Sequence, residues 1–450
     1  MPAHRRVVVA TGLPPDALGR WAEHGTPDLT LALSGPHRNV VLDHDRLTAQ
    51  LGRGLPDRLL DLLEIALAVY SADIAFPRQE NEDWVRSTSF LLPVRDPDTW
   101  QQIEPQLAEF LYVLSHDAYV FEFERRTGDR GPRTEDERHP AEAGGPQCGH
   151  DCAALLSGGI DSFAGATALL ATARRPLFVA HRPQNPAIVT AQEHVRKALA
   201  RRFGADTALA AIRCGPARTP RPEYPYPPPD ERETSQRTRS FLFLSLGAAA
   251  CCAAGVDTLY CPENGILSLN VPLTEARVGG YSTASTRPKT LARVCSLLSA
   301  LGFPIRVENP FVYQTKAQLV RDVLRPHFTV ADIQGAVSCW MAGRYSRPCG
   351  GCIPCLIRAI SMEAAGLPRE AHLVDPLATG GATGPESATR ANLVDLLTFT
   401  HRFRSLDDIS LLRAYPMLLE LPPEVSTRAA VAMLKRFAEE AATALAGDRE

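Results

Sequence analysis

Ser157-Gly158-Gly159-Ile160-Asp161-Ser162 gathers, in six consecutive positions, the residue types that bind a phosphate group. Adjacent glycines let the backbone approach an anion closely, and amides at the start of a helix aim positive partial charge at it. Ser157 and Ser162 can add hydroxyl donors, and Asp161 can orient a magnesium ion or the loop itself. A plain strand-to-helix turn capped by Asp or Ser needs neither the paired glycines nor the flanking serines. No Gly-Lys-Ser/Thr follows, so this is not a Walker loop.

A second group is Cys349, Cys352 and Cys355, spaced C-x-x-C-x-x-C, with Cys339 nine intervening residues upstream. Gly350 and Gly351 permit a tight turn that lets the thiolates converge. Four thiolates at about 2.3 Å from a zinc ion would make a closed, structural tetrahedral site. The rival metal reading is an iron–sulfur cluster held by Cys349, Cys352 and Cys355; the bland one is three buried cysteines on a helix. The latter fits poorly, because this spacing points successive residues to different faces. Eleven cysteines, an odd number, with three inside seven residues, argue for metal over a disulfide scaffold. Cys251 and Cys252 fall inside an apolar run and read as core.

Lysine is scarce: Lys197, Lys289, Lys316 and Lys435 are four of 48 basic residues. Thr315 and Gln318 form a T-x-x-Q capping pattern, which makes Lys316 the first residue of a helix. Its amine would lie beside free backbone amides, on a surface suited to anions, as a phosphate contact.

The elements around the glycine loop alternate. Strands are expected at Cys152–Leu156, Leu177–His181, Thr207–Arg213, Thr258–Cys261 and Ile305–Val307. Helices are expected at Phe163–Ala173, Ile188–Phe203, Thr238–Ala254 and Lys289–Leu301. Such alternation implies a parallel sheet covered on both faces, with ligands beyond the carboxyl ends of its strands. Before it, residues 1–125 read as an α+β region, with strands near Arg6–Val9, Leu29–Leu33, Val40–Leu42, Phe90–Val94 and Tyr119–Phe123. Helices run there from Pro56 to about Tyr70 and from Trp100 to Leu114. Residues 126–150 read as a linker, 151–375 as the α/β unit with its cysteine site, and 376–450 as a helical tail. Gly215–Gln236, with seven prolines, and Ala378–Ser387 read as loops.

The 450 residues carry 48 basic and 51 acidic side chains, a net charge of −3. That balance argues against a nucleic-acid partner. Ser240–Val256, the longest charge-free apolar run, suits a buried helix better than a membrane span. Val7–Ala10 is too brief for a signal peptide, so a cytoplasmic protein is expected.

The glycine loop resembles the PP-loop of ATP pyrophosphatases, which cleave ATP between the α and β phosphates. Together the motifs resemble the 7-cyano-7-deazaguanine synthase (QueC) family. Its marks are an SGGxDS loop and a Ser-Cys-Tyr followed by C-G-x-C-x-x-C-x-x-R. Ser338-Cys339-Trp340 and Cys349-Gly350-Gly351-Cys352-Ile353-Pro354-Cys355-Leu356-Ile357-Arg358 are the counterparts here. Asn309-Pro310 and Thr315-Lys316-Ala317-Gln318 look like its Pro and T-K-x-E elements, and Arg237 to Leu242 is similar to its R-N-x-x-F-L helix.

The resemblance spans roughly Cys152 to Ala364. It implies a doubly wound, PP-loop (HUP-like) sheet with a zinc-binding C-terminal element, and ATP, Mg2+ and Zn2+ as cofactors. It further implies that ATP adenylates the carboxylate of 7-carboxy-7-deazaguanine, and that ammonia then attacks. On this reading Asp161 and Lys316 are catalytic. Ser157, Gly158, Gly159, Ile160, Asp161, Ser162 and His181 bind the nucleotide, and Arg237, Glu263, Asn264 and Arg287 face the substrate. Cys339, Cys349, Cys352 and Cys355 hold zinc.

The chain departs from the family in three ways. Gly280–Pro288 replaces the usual S-G-Y-P-D-C-R segment, Pro262-Glu263-Asn264-Gly265 replaces the usual loop after the fourth strand, and more than 150 residues precede the glycine loop. Long proteins of this shape are similar to QueC-like components of anti-phage defence operons (the QatC-like group), which implies a protein partner encoded nearby and an amine on it as acceptor. Ordinary synthesis of the free nitrile with ammonia, a PP-loop tRNA-modifying enzyme and a non-catalytic binding subunit are the competing functions.

Overall fold

The computed structural model describes residues 4–446 except 24, 44, 46–47, 49–53, 79–84, 129–148, 205–208, 219–222, 274–283, 345–346, 376 and 378–385. Most of the expected linker, the middle of the Pro-rich loop, the first four residues of the Gly280–Pro288 segment and most of the Ala378–Ser387 loop lie outside the described residues.

The N-terminal region runs β1 (His4–Val9), α1 (Pro15–Ala22), β2 (Leu29–Leu31), β3 (Val40–Leu42), α2 (Asp57–Ala75), β4 (Ser87–Val94), α3 (Pro97–Ser115) and β5 (Ala118–Arg125). Its four-stranded sheet has the order β2-β1-β4-β5, and every pairing is parallel. This corrects the expected α+β pattern, for the region is α/β. Parallel neighbours require crossover connections, and a helix precedes each of β2, β4 and β5.

The second sheet and the elements around it run β6 (Cys152–Leu155), α4 (Ile160–Ala171), β7 (Pro176–His181), α5 (Pro186–Phe203), β8 (Leu209–Ile212), β9 (Cys214–Pro216), α6 (Arg239–Ala254), β10 (Thr258–Tyr260), α7 (Gly265–Leu269), α8 (Pro288–Ala300) and β11 (Arg306–Glu308). Strand order is β11-β10-β6-β7-β8, all parallel, as the alternation implies. Neighbouring strand residues point to opposite faces. Ala154 and Phe178 join the cluster containing α4 and α5, while Ala153, Leu177 and Val179 join the one containing α6 and α8. β7 and β8 lie on one side of β6 and β10 and β11 on the other, so the winding reverses between β6 and β10. Ligands gather at the carboxyl ends of strands at such a reversal.

Helices α2 and α3 pack against α6 and α8, and the apolar side chains of both sheets merge into one continuous cluster. That explains why Ser240–Val256 carries no polar face: α6 has the second sheet on one side and α2 on the other. β3 pairs antiparallel with β9, Val40 opposite Pro216, and stitches the two regions together.

Downstream, α9 (Lys316–Gln318) continues as a π-helical stretch, Leu319–Leu324, before α10 (Val330–Gln334) and α11 (Ile353–Ala364). The helical tail is α12 (Glu386–Ser405), α13 (Asp408–Ala414) and α14 (Thr427–Ala446). It shares an apolar cluster with α11 and α7. Among the described residues no helix is long and apolar enough to cross a membrane.

Candidate active site

The glycine loop joins β6 to α4 at the reversal of the sheet. Gly158 adopts φ +84°, and a side chain there would begin 2.8 Å from the Gln192 backbone nitrogen of α5, so only glycine fits. Gly159 is the N-cap of α4, and no side chain caps that helix. Its first-turn amides therefore keep their donors for an external anion. The two serines hold the loop's shape: Ser162 Oγ accepts from the Ser157 amide (3.2 Å), donates to the Gly159 carbonyl (3.0 Å) and lies 3.1 Å from Ser157 Oγ.

Asp161, in the first turn of α4, is the centre of a buried cluster. Lys316 Nζ donates to its Oδ2 at 2.6 Å, and Asn264 Nδ2 donates to its Oδ1 at 3.1 Å. The same Asn264 nitrogen donates to Glu263 Oε1 at 3.1 Å. Asn264 is itself fixed, because its Oδ1 caps α7 by accepting from the Ile266 and Leu267 amides. Burial, and then the adjacent Asp161 charge, push the Glu263 carboxyl well above the usual range, against the pull of Lys316. Asn309 secures this loop from behind, accepting from the Glu263 amide (3.1 Å) and donating to the Glu263 carbonyl (2.8 Å).

Lys316 is the first residue of its helix, behind a complete capping box of Thr315 and Gln318, as the sequence implies. Its amine, expected beside free helix amides, is instead buried on Asp161, the only one of the four lysines so enclosed. His181 closes β7, but its Nε2 donates to the Cys214 carbonyl at 2.8 Å. Burial lowers its pKa to about 4, so the ring is neutral.

Two sequence candidates stand elsewhere. Arg237 is buried where the two sheets meet: it donates to the Ser115 carbonyl (3.1 Å), and the charges acting on it are those of Arg78, Asp117, Asp73 and Arg86. Arg287 occupies the N-cap position of α8, and its side chain donates to the Leu269 and Asn270 carbonyls at 3.4 and 3.2 Å, which holds the end of α7.

The sulfurs of Cys339, Cys349, Cys352 and Cys355 all lie within 4.8 Å of one another and could hold a metal ion. Amides of Met341 and Cys349 donate to Cys339 Sγ (3.3 and 3.4 Å), and the Cys352 amide donates to Cys349 Sγ (3.4 Å). Donation from the Cys352 and Cys355 thiols holds Cys339 far below the usual thiol range, and Cys339 in turn pushes Cys352 up to about 12. Four convergent sulfurs with N–H donors aimed at them are a donor set that suits zinc. Gly350 turns the chain between the ligands at φ +81°.

This element touches the glycine loop directly. The Val337 amide donates to the Gly158 carbonyl at 2.9 Å. Arg358 ties the segment down, donating to Ser338 Oγ (3.3 Å) and the Gln334 carbonyl (3.0 Å) and pairing with Glu370 at 2.6 Å. The four cysteines thus follow directly on the stretch of chain that bonds the glycine loop.

No family model matches the chain. It is similar to curated proteins named 7-cyano-7-deazaguanine synthase. The one from Ralstonia pickettii (strain 12J) is 36% identical over 80 residues, 18% of this chain and 34% of that protein. The one from Xanthomonas euvesicatoria pv. vesicatoria (strain 85-10) is 28% identical over 140 residues, 30% of this chain and 56% of the relative. The Cupriavidus pinatubonensis (strain JMP 134 / LMG 1197) protein is 30% identical over 135 residues, 26% of this chain and 58% of the relative. The chain therefore matches less than two thirds of the length of each of these relatives.

Proposed function

We propose that the chain is a QueC-like, ATP-dependent C–N ligase acting on a 7-carboxy-7-deazaguanine-type carboxylate. The observation that carries this reading is the uncapped SGGIDS helix start at the sheet's reversal, with Asp161 gripped by Lys316 and Asn264. The name shared by the relatives supports the substrate class. ATP would lay its phosphates on the α4 amides, with Lys316 as counter-charge and Mg2+ held through Asp161. The substrate carboxylate attacks the α phosphorus and expels pyrophosphate, giving an acyl-adenylate. An amine then replaces AMP and loses a proton as the amide forms. The chemical need is that a carboxylate oxygen leaves poorly whereas AMP leaves readily. Zn2+ at the four cysteines has a structural role.

The acceptor we favour is an amine on a protein partner encoded nearby, in an anti-phage defence setting, within the cytoplasm. The large N-terminal region and the Pro-rich loop support it, since ammonia needs neither. The relatives' name favours a second reading, in which ammonia is the acceptor and the free nitrile the product. Mass spectrometry after incubation with ATP and 7-carboxy-7-deazaguanine separates them. Ammonium-dependent release of free amide or nitrile supports the second reading. A neighbouring protein gaining the deazaguanine mass, with little free product, supports the first. Neither product, in a folded protein, overturns both.

A further inference from the structure

The elements that carry the two side chains gripping Asp161 both contact the C-terminal helix. Thr315, immediately before Lys316, accepts from the Gln318 amide (3.2 Å) and donates from its Oγ1 to Glu440 Oε1 of α14 at 2.8 Å. Gln318 Oε1 closes the capping box by accepting from the Thr315 amide (3.0 Å), and it also accepts from Arg436 Nη1 of α14 at 2.9 Å. Thr315 and Lys316 are buried, so the box cannot shift without carrying the lysine. On the other side, Ile266 and Leu269 of α7, the helix capped by Asn264, share an apolar cluster with Met433, Leu434 and Phe437 of α14.

A hydroxyl that accepts at one lone pair and donates its single proton elsewhere has its rotamer fixed from both ends. Glu440 supplies the second end, and so fixes where α9 begins and how Lys316 leaves the backbone. We infer that Glu440 is a positioning residue that aims Lys316 at Asp161 through Thr315. The C-terminal helix, outside the Cys152–Ala364 resemblance, thereby controls assembly of the site. The consequence for ATP turnover rests on the function proposed above, whereas the aiming of the amine does not.

Lysine scarcity makes this measurable in the full-length protein. A dilute N-hydroxysuccinimide ester labels amines, and peptide mass spectrometry gives a rate for each lysine. Lys316, with a side chain 2% exposed, starts protected, while Lys435, on α14 itself and 35% exposed, reports on the helix. In Glu440→Ala the Lys316 rate should rise about fivefold, the ratio expected when one hydrogen bond is lost, with Lys435 unchanged. Glu440→Gln, whose amide oxygen can still accept from Thr315, should label like the parent. Thr315→Val removes the same bond from its other end, together with the cap on the Gln318 amide, and should raise the Lys316 rate at least as much as Glu440→Ala, so a poorly folding alanine variant leaves the test intact. Protection of Lys316 in both Glu440→Ala and Thr315→Val, or a parallel rise at Lys435, overturns the inference. A parent protein that consumes no ATP yet labels in this pattern removes the proposed function and keeps the positioning role.

Discussion

At the residue scale, Asp161 and Lys316 form a buried ion pair inside the candidate site. Lys316 is 1% exposed and Asp161 9%. Removing one partner of a buried pair leaves an uncompensated charge and costs about 3–5 kcal/mol. Asp161→Ala should lower the denaturation midpoint by a corresponding amount, and adding Lys316→Met should recover part of the loss. Simple addition of the two single costs would show that the ions are not coupled. His181 gives a second prediction. Its pKa of about 4 against 6.5 for the free side chain means the unfolded chain takes up a proton first as pH falls. Stability should therefore be present above pH 6.5 and drop by up to about 3 kcal/mol towards pH 4. In His181→Gln that part of the pH dependence should vanish; an unchanged slope contradicts the burial argument. The six-residue loop, the capping box and the four cysteines were legible because each is local. The pairing of Asp161 with Lys316 was not, since 155 positions separate them and neither has a local pattern that names its partner.

Among the elements, the cysteine-rich segment bonds the glycine loop directly. Val337 lies two residues before Cys339 and bonds the Gly158 carbonyl, so loss of metal should loosen the glycine loop as well as the cysteines. Elemental analysis should give one zinc per chain. Cys352→Ser, or stripping with a strong chelator, should lower both Tm and ATP affinity, because structural zinc couples to folding. Iron with labile sulfide, or ATP affinity untouched after metal loss, contradicts this. The helices and strands of the second sheet were readable from the alternation of apolar runs with amphipathic stretches. The direction of the N-terminal strands was not, because short apolar strands look alike whether they run parallel or antiparallel. Glu440 escaped the sequence reading for a related reason: it lies in a tail whose periodicity announces a helix and nothing about what that helix touches.

For the molecule as a whole, the continuous core joining α2 and α3 to α6 and α8 makes the N-terminal region a layer of the fold as well as a candidate recognition surface. A single cooperative thermal transition is expected, and deletion of residues 1–125 should expose α6 and α8 and yield an insoluble or unfolded chain. Two separate transitions, or a stable soluble truncation, would show independent domains. Recognition by this region is therefore better probed with surface substitutions than by removing it. The central claim concerns where ATP is cut. The most direct measurement incubates the zinc-replete, full-length protein with ATP, Mg2+ and 7-carboxy-7-deazaguanine, and separates AMP, ADP, pyrophosphate and phosphate. AMP and pyrophosphate should form in equal amounts, dependent on the deazaguanine acid and abolished by Asp161→Asn. Formation of ADP and phosphate, or full turnover in Asp161→Asn, would contradict it.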